Sequence, residues 1–186
     1  MVDAPQHRRT VRSSLPPALT LVLAALGLAA CGGNVDFTIA RTLDVDTSVD
    51  AGQVSGSFDF AAEAGSAWRE RGHLDSVSIR GATVTVAAVG PDNAAIAESG
   101  TVWLLPEGVT DPADPRAVQV GAWSDEPVVA GHVVALTPSA QLDEFVTSAL
   151  KGSGKINVVA SADGGGARLQ VTLHVVIDLR LRWKAV

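Results

Sequence analysis

The 186-residue sequence has one cysteine, no tyrosine and few aromatic residues, which make up 4% of the chain. A single cysteine excludes an internal disulfide and a zinc site built from several thiolates. Basic residues are also scarce, with 14 Lys and Arg against 20 Asp and Glu, so the formal net charge is −6. This acidic balance argues against a nucleic-acid partner. What remains is a composition with 47% hydrophobic residues, typical of a globular protein.

The first thirty residues have the features of an export signal. Three arginines within the first twelve residues precede a Pro-Pro pair and an uninterrupted apolar run over residues 18–30. A basic stretch followed by a short apolar run is typical of a signal peptide. The run is shorter than the roughly 20 residues that a permanent membrane-spanning helix needs. We therefore predict that residues 1–30 are cleaved from the mature chain.

The apolar run ends in Leu28-Ala29-Ala30-Cys31. This tetrapeptide resembles the lipobox of bacterial lipoproteins, and the resemblance covers residues 1 to about 34. It implies cleavage between Ala30 and Cys31 and a covalent diacylglycerol and acyl (palmitate) lipid on Cys31, with no other cofactor. Two or three acyl chains hold a domain durably at a membrane, whereas one chain does not. The alternative is an uncleaved, buried helix with Cys31 in a core.

The resemblance also implies a location. The protein is expected to be exported and bound to a bacterial membrane through the lipid, and Gly32 resembles the outer-membrane sorting pattern if the cell is Gram-negative, on the periplasmic or surface side. Residues 31–34 would form a tether on the order of 10 Å, so the expected partner is an envelope protein or a glycan near the bilayer. Loss of the leader removes three arginines and one aspartate and takes the net charge from −6 to −8. Attachment by a basic patch is therefore not expected.

Residues 35–186 are interpreted as a single domain of β-strands. Apolar and polar residues alternate through most of this region, most clearly over residues 169–183, where every odd position is apolar. A period of two is that of a strand with one buried face. We predict an all-β fold, an antiparallel β-sandwich of about 8–10 strands with one short helix, and a small β-barrel as the alternative.

Turn-forming residues predict how the strands are connected. A turn at 50–52 is expected to join the first two strands as a hairpin, and a turn at 163–166 is expected to join residues 156–160 to the last strand as a terminal hairpin. A change of alternation phase predicts a bulge or turn at Gly81. The helix is predicted to start with Thr137 as N-cap and to stop before Gly152, and a further helical turn is expected around Trp68.

No metal site is predicted. Asp44, Asp46 and Asp50 alternate along the chain but lack the central glycine and closing glutamate of an EF-hand loop. The simpler interpretation is that these aspartates lie on the solvent-exposed face of a strand. His73, His132 and His174 are far apart in sequence and have no metal-type spacing.

No catalytic motif survives the same test. His73, Asp75 and Ser76 offer the side chains of acyl transfer, but adjacent residues rarely form a triad and no G-x-S-x-G turn is present. The run 152–155 resembles a phosphate loop, yet Lys155 is followed by Ile156 rather than Ser or Thr. We therefore predict that the protein is not an enzyme.

Two tryptophans are candidate ligand contacts. Trp68 and Trp123 lie next to polar residues, as aromatic platforms for sugars often do, whereas the alternative is that they fill the core. Together these observations predict a lipid-anchored cell-envelope lipoprotein acting as a binding or structural module. The alternatives are a carbohydrate-binding surface lipoprotein and an envelope hydrolase whose site is assembled from residues distant in sequence.

Overall fold

The computed structural model describes residues 33–49, 52–64, 66–69 and 71–184. The predicted leader, the Ala30–Cys31 bond and Asp50 lie outside these residues. The strands are β1 (Asn34–Asp46), β2 (Gln53–Asp59), β3 (Leu74–Val89), β4 (Ala97–Pro106), β5 (Val118–Pro127), β6 (Val133–Leu136), β7 (Lys155–Asp163) and β8 (Gln170–Trp183). The helices are α1 (Phe60–Glu63), α2 (Ser66–Arg69) and α3 (Gln141–Lys151), with a 3₁₀ turn over Arg71–His73.

The strands form two antiparallel four-stranded sheets. One sheet has the order β1-β8-β3-β6 and the other has the order β2-β7-β4-β5. The predicted antiparallel β-sandwich is therefore confirmed, with two separate sheets in place of the closed barrel.

The alternation of the sequence places one face of each sheet in the core. In β8 the odd positions from Val171 to Leu181 are all 4% exposed or less, while the even positions face outward. Burial of one such aliphatic side chain stabilises the fold by roughly 1.5–3 kcal/mol. β8 lies between β1 and β3, so it stays in one sheet along its whole length.

Both hairpins predicted from local turns are wrong. β1 pairs with β8 and β2 pairs with β7, so these two consecutive strands belong to different sheets and do not form a hairpin. The turn at 163–166 also crosses between sheets, from β7 to β8, and contains a single isolated bridge between Gly164 and Ala167. Alternation determines which face of a strand is buried, but it does not determine which strand lies beside it.

The predicted bulge and helix are present, with one shifted boundary. The register of β3 against β8 shifts between Ile79 and Gly81. α3 begins at Gln141, later than a Thr137 cap implies, and its N-cap Ala140 provides no side-chain hydrogen bond. The helical turn expected around Trp68 is confirmed as α2.

α3 covers a part of β3 that β6 does not reach. β6 pairs with β3 only over residues 82–85. Beyond that point the amide of Val77 donates to Thr147 Oγ1 at 3.1 Å, and the amide of Ile79 donates to Asp143 Oδ1 at 2.8 Å. The helix therefore satisfies backbone groups at what would otherwise be a bare sheet edge.

The two ends of the sandwich differ. At one end, which we call the helical end, Asn34 lies opposite Arg182, and the helices connect the strands. At the other end, the loop end, Asp46 lies opposite Gln170, and the connections are the described parts of residues 47–52, 90–96, 128–132 and 164–169. None of the helices in the described part of the chain has the length and apolar character needed to span a bilayer.

Candidate functional site

A buried carboxyl group lies between the two sheets near the loop end. Glu98, in β4, is 2% exposed and is the buried charged residue among the described positions. Neither of its carboxylate oxygens has a hydrogen-bond partner among the described residues. Burying a carboxylate without partners is costly, so such a group marks a place where the fold is not optimised for stability alone.

The strand facing Glu98 is irregular at this point. Glu98 pairs with Glu126 and Gly100 pairs with Trp123, so β5 has one more residue than β4 across this interval. The extra residue forms a bulge in which Asp125 adopts a φ of 55°, a left-handed conformation uncommon for a residue other than glycine. The amide of Asp125 donates to Ser99 Oγ at 3.1 Å, which holds the bulge against β4.

The indole of Trp123 fills the space beside Gly100. A Cβ atom at Gly100 would overlap the Trp123 ring and the carbonyl of Ser161. Trp123 is 6% exposed as a result, and its Nε1 has no hydrogen-bond partner among the described residues. The absence of a side chain at Gly100 therefore positions this indole in the core.

Burial raises the pKa of Glu98 to about 7. Loss of solvation is the largest cause, because it disfavours the charged form. The charge of His132 and the nearby indole N–H of Trp123, which does not meet hydrogen-bond geometry, lower the pKa, and the nearby Glu126 raises it. The carboxyl group therefore changes protonation near neutral pH, where an ordinary glutamate is fully ionised.

A histidine–carboxylate pair lies next to Glu98. His132 Nε2 and Glu126 Oε2 are 2.8 Å apart, and both side chains are about one-third exposed, at 28% and 34%. We call Glu98, Trp123, Glu126 and His132 the Glu98 cluster. The cluster therefore extends from a buried carboxyl group to two partly exposed side chains.

The exposed apolar side chains of the described residues are concentrated at the same end of the molecule. Ile96 is 89% exposed and Val129 is 59% exposed. The amide of Val128 donates to the carbonyl of Ile96 at 3.1 Å, so these two loops are neighbours. The remaining large exposed apolar residues are Val49, Val89 and Val133, all at the loop end.

The loop end is also acidic. Its described part has the carboxylates of Asp46, Asp92, Asp125, Glu126 and Asp163, and its basic side chains are Arg168 and His132. Arg168 is already paired, to Asp46 at 2.8 Å and to Asp92 at 3.4 Å. Hydrogen bonds from Arg168 and Ser48 hold the pKa of Asp46 well below its usual range. All three lysines of the chain, Lys151, Lys155 and Lys184, lie at the helical end.

The structure does not bring the two predicted tryptophans together. Trp68 lies at the helical end, where it packs over Gly154 and beneath the guanidinium of Arg71, 4.6 Å from the ring centroid. Trp123 lies in the core toward the loop end. Their role as ligand contacts stays a prediction, as does the acylation of Cys31, which lies outside the described residues.

Two of the aspartates considered as metal ligands have structural partners. Asp44 accepts a hydrogen bond from Thr172, and Asp46 pairs with Arg168. Residues 73–76 run from the 3₁₀ turn into β3. Over the described ranges, no group of three or more His, Cys, Asp or Glu residues is arranged to hold a metal ion.

A groove of about 670 Å³ lies between α3 and β3. Asp143 and Thr147, which line it, accept the hydrogen bonds from β3 described above. Their polar groups serve the packing of the helix on the sheet, so we place the candidate site at the loop end.

Sequence reasoning missed Glu98, although a signal for it exists. The even-numbered residues Val102 and Leu104 of β4 are fully buried. If this alternation of buried even-numbered residues continues toward the amino terminus, Glu98 also lies on the inward face. The prediction began this strand at Thr101, and β4 begins at Ala97. A longer strand would have identified a carboxyl group in the core.

Comparison with known proteins gives structural matches only. No protein-family model and no curated sequence matches the chain. The structure of Desmodium yellow mottle tymovirus matches with a TM-score of 0.38 and 10% identity, over 94% of this chain and 96% of that chain. Turnip yellow mosaic virus matches with a TM-score of 0.36 and 10% identity, over 98% and 93%. The T=3 Penaeus vannamei nodavirus matches with a TM-score of 0.41 and 11% identity, over 98% and 64%.

These matches correct the function predicted from the sequence. The three matching structures are those of viruses. The prediction of an envelope lipoprotein module, with its outer-membrane and periplasmic description, is therefore wrong, and only the β-sandwich part of it is supported. At TM-scores below 0.5, no viral function is transferred to this chain.

Proposed function

We propose that the protein is a non-enzymatic binding protein that holds a protein partner at its loop end. The observation that supports this proposal is the position of the exposed apolar residues. Val49, Val89, Ile96, Val129 and Val133 are the large exposed apolar residues of the described chain, and all of them lie at this end. Apolar side chains gathered on one part of a surface are typical of interaction sites.

The charges of the loop end specify the kind of partner. Carboxylates lie at the same end as the apolar side chains, and Arg168 is paired with Asp46 and Asp92. Charge complementarity therefore favours a protein segment that combines basic and apolar residues. The same carboxylates disfavour association with a second copy of this chain and with anionic lipid, because like charges repel.

The experiment measures binding of a peptide of alternating lysine and leucine residues to the full chain by fluorescence anisotropy. The doubly substituted Ile96→Ser, Val129→Ser chain is expected to bind the peptide at least about tenfold more weakly than the wild type, because two aliphatic contacts are lost. Val109→Ser, at a half-buried valine of the helical end, is the matched control and should bind as the wild type does.

A second peptide, of alternating glutamate and leucine residues, tests the charge argument. It is expected not to bind. Equal binding of the two peptides would exclude a partner chosen by charge. Unchanged binding after substitution of Ile96 and Val129 would exclude the loop end as the binding surface.

Export and acylation of Cys31 are separate predictions about the route and attachment of the chain. They rest on the resemblance of residues 28–31 to a lipobox. Gly33 lies at the helical end, where its carbonyl accepts a hydrogen bond from the amide of Trp183 at 3.0 Å. An attachment before Gly33 would leave the loop end directed away from it. Mass spectrometry of membrane-extracted wild type and Cys31→Ala tests this, and loss of an acylated amino-terminal peptide in the variant is expected.

A further inference from the structure

The loop over residues 128–132 bridges the two sheets at the loop end. The amide of Gly131 donates to the carbonyl of Val86, in β3, at 2.7 Å, and the amide of Val86 donates to the carbonyl of His132 at 2.9 Å. On the other side, the amide of Val128 donates to the carbonyl of Ile96, just before β4, at 3.1 Å. The loop carries both the exposed Val129 and the His132 of the Glu98 cluster.

Glu98 lies near this loop, and its carboxylate oxygens have no hydrogen-bond partner among the described residues. The groups that act on its carboxyl are Glu126 and Trp123 from β5 and His132 from the loop. Of these, only His132 can carry a positive charge, and it already pairs with Glu126 at 2.8 Å. An ionised Glu98 therefore gains a cationic partner when His132 leaves Glu126, and that displacement moves the loop that carries His132.

We propose that loss of the Glu98 proton to solvent opens the loop over residues 128–132 and makes the binding end of the protein sensitive to pH. The step involves one proton, which leaves the buried carboxyl group for water, and no other group has to change its protonation state. The control of partner binding rests on the proposed function, because Val129 belongs to the proposed binding surface. The opening itself is a property of the free chain.

The direction of the effect follows from the chemistry of the carboxyl group. Burial raises the pKa of Glu98 in the closed state to about 7, and exposure in the open state returns it toward 4.5. The closed state therefore holds the proton more tightly, and a rise in pH favours opening. Linkage between these two values predicts about a tenfold increase in the opening equilibrium between pH 6 and pH 8.

The experiment is amide hydrogen exchange of the full, unliganded chain at pH 6, 7 and 8, with the known pH dependence of the chemical exchange rate removed. The amides of Val86, Val128, Gly131 and His132 report opening of the loop. Their protection is expected to fall about tenfold from pH 6 to pH 8 in the wild type. In Glu98→Gln, whose side chain is neutral and similar in shape, protection should change less than twofold.

Glu107→Gln is the matched control, because Glu107 is an exposed carboxyl group at the helical end, paired with Lys155. It should retain the tenfold response. A second variant, Glu126→Gln, removes the neighbouring negative charge that raises the pKa of Glu98, and should shift the wild-type response to lower pH. Equal pH profiles in the wild type and Glu98→Gln, or a flat wild-type profile, would overturn the proposal.

These results are independent of the peptide-binding results. A flat exchange profile together with charge-selective peptide binding would reject the pH-dependent opening of the loop and support the proposed binding surface. A pH-dependent exchange profile without peptide binding would reject the proposed binding surface and support the pH-dependent opening of the loop.

Discussion

The sandwich has two open sides, and each contains one charged side chain in or near the core. On the side between β1 and β2, Arg41 donates from Nε to the carbonyl of Ser57 and from Nη1 to the carbonyl of Ala40, both at 2.7 Å. Its Nη2 pairs with Glu63, and its guanidinium lies over the ring of Phe58 at 4.4 Å. On the side between β5 and β6, Glu98 has no hydrogen-bond partner among the described residues.

The contrast shows what each side is built for. Arg41 closes its side, because it joins the outer strands of the two sheets and occupies carbonyls that another chain could otherwise use. Glu98 makes the stability of its side depend on pH, because burying its carboxyl group costs more when the group is ionised. Four predictions test this difference, in order of decreasing effect.

The largest effect is expected from removing the ring beneath Arg41. Phe58 is 1% exposed and packs edge-on against Phe60 at 4.6 Å between centroids. Phe58→Ala is expected to lower the free energy of unfolding by about 4 kcal/mol, because it leaves a cavity below the guanidinium. Urea unfolding of the full chain measures it. Phe145→Ala, on the partly buried face of α3, is the control and should cost less.

The next effect is a pH-dependent gain at Glu98. Burial raises the pKa of Glu98 to about 7 from an ordinary 4.5, so the folded chain binds this proton more tightly than the unfolded chain. Stability therefore falls as pH rises from 4.5 to 7 and stays lowered above that range. Glu98→Gln should be more stable than the wild type by about 3 kcal/mol at pH 8 and by little at pH 4.5.

Thermal or urea unfolding at both pH values measures this gain. Glu107→Gln, which removes an exposed carboxyl group, should change stability little at either pH. A gain of the same size at pH 4.5 and pH 8 would show that Glu98 acts through packing and not through its charge.

A smaller loss is expected from Arg41→Met. The substitution keeps much of the apolar stem but removes the hydrogen bonds to Ser57, Ala40 and Glu63. Because the Arg41 side chain is 19% exposed, water partly replaces these bonds, and we expect a loss of about 2 kcal/mol. Unlike the effect at Glu98, the loss should be equal at pH 6 and pH 8. Arg69→Met, at an exposed arginine, is the control.

The smallest effect on stability is expected at the exposed apolar residues of the loop end. Ile96→Ser and Val129→Ser should each change the free energy of unfolding by less than about 0.5 kcal/mol, because these side chains make few contacts. Urea unfolding checks this value alongside the peptide titration. A large loss of stability would mean that these residues support the fold and do not form a surface for a partner.

The sequence predicted the fold class because the alternation of apolar and polar residues is a local property of each strand. Nearly all of residues 169–183 form β8 (Gln170–Trp183) with the predicted face buried, and the bulge at Gly81 is present. Pairing was not predictable in the same way. Both turns that were interpreted as hairpins connect different sheets, because a Gly-rich turn permits either a hairpin or a crossing.

The candidate site was less accessible to sequence reasoning. Trp123 was singled out as a ligand contact, but the bare Gly100 beside it allows the indole to pack into the core. His132 was considered with His73 and His174 as a possible metal ligand, and its contact with Glu126, six residues away, was not predicted. Glu98 escaped notice because a single glutamate at the start of a strand is usually exposed.

By itself, the sequence determined that this protein is an acidic, β-rich chain with sandwich-forming strands and a leader-like amino-terminal segment, because composition and periodicity belong to the chain alone. Only the tertiary structure decided which strands pair, that Arg41 is partnered while Glu98 is not, and that the exposed apolar residues share one end. Those properties depend on contacts between residues far apart in sequence, and the solvation of a carboxyl group is set by its neighbours in space.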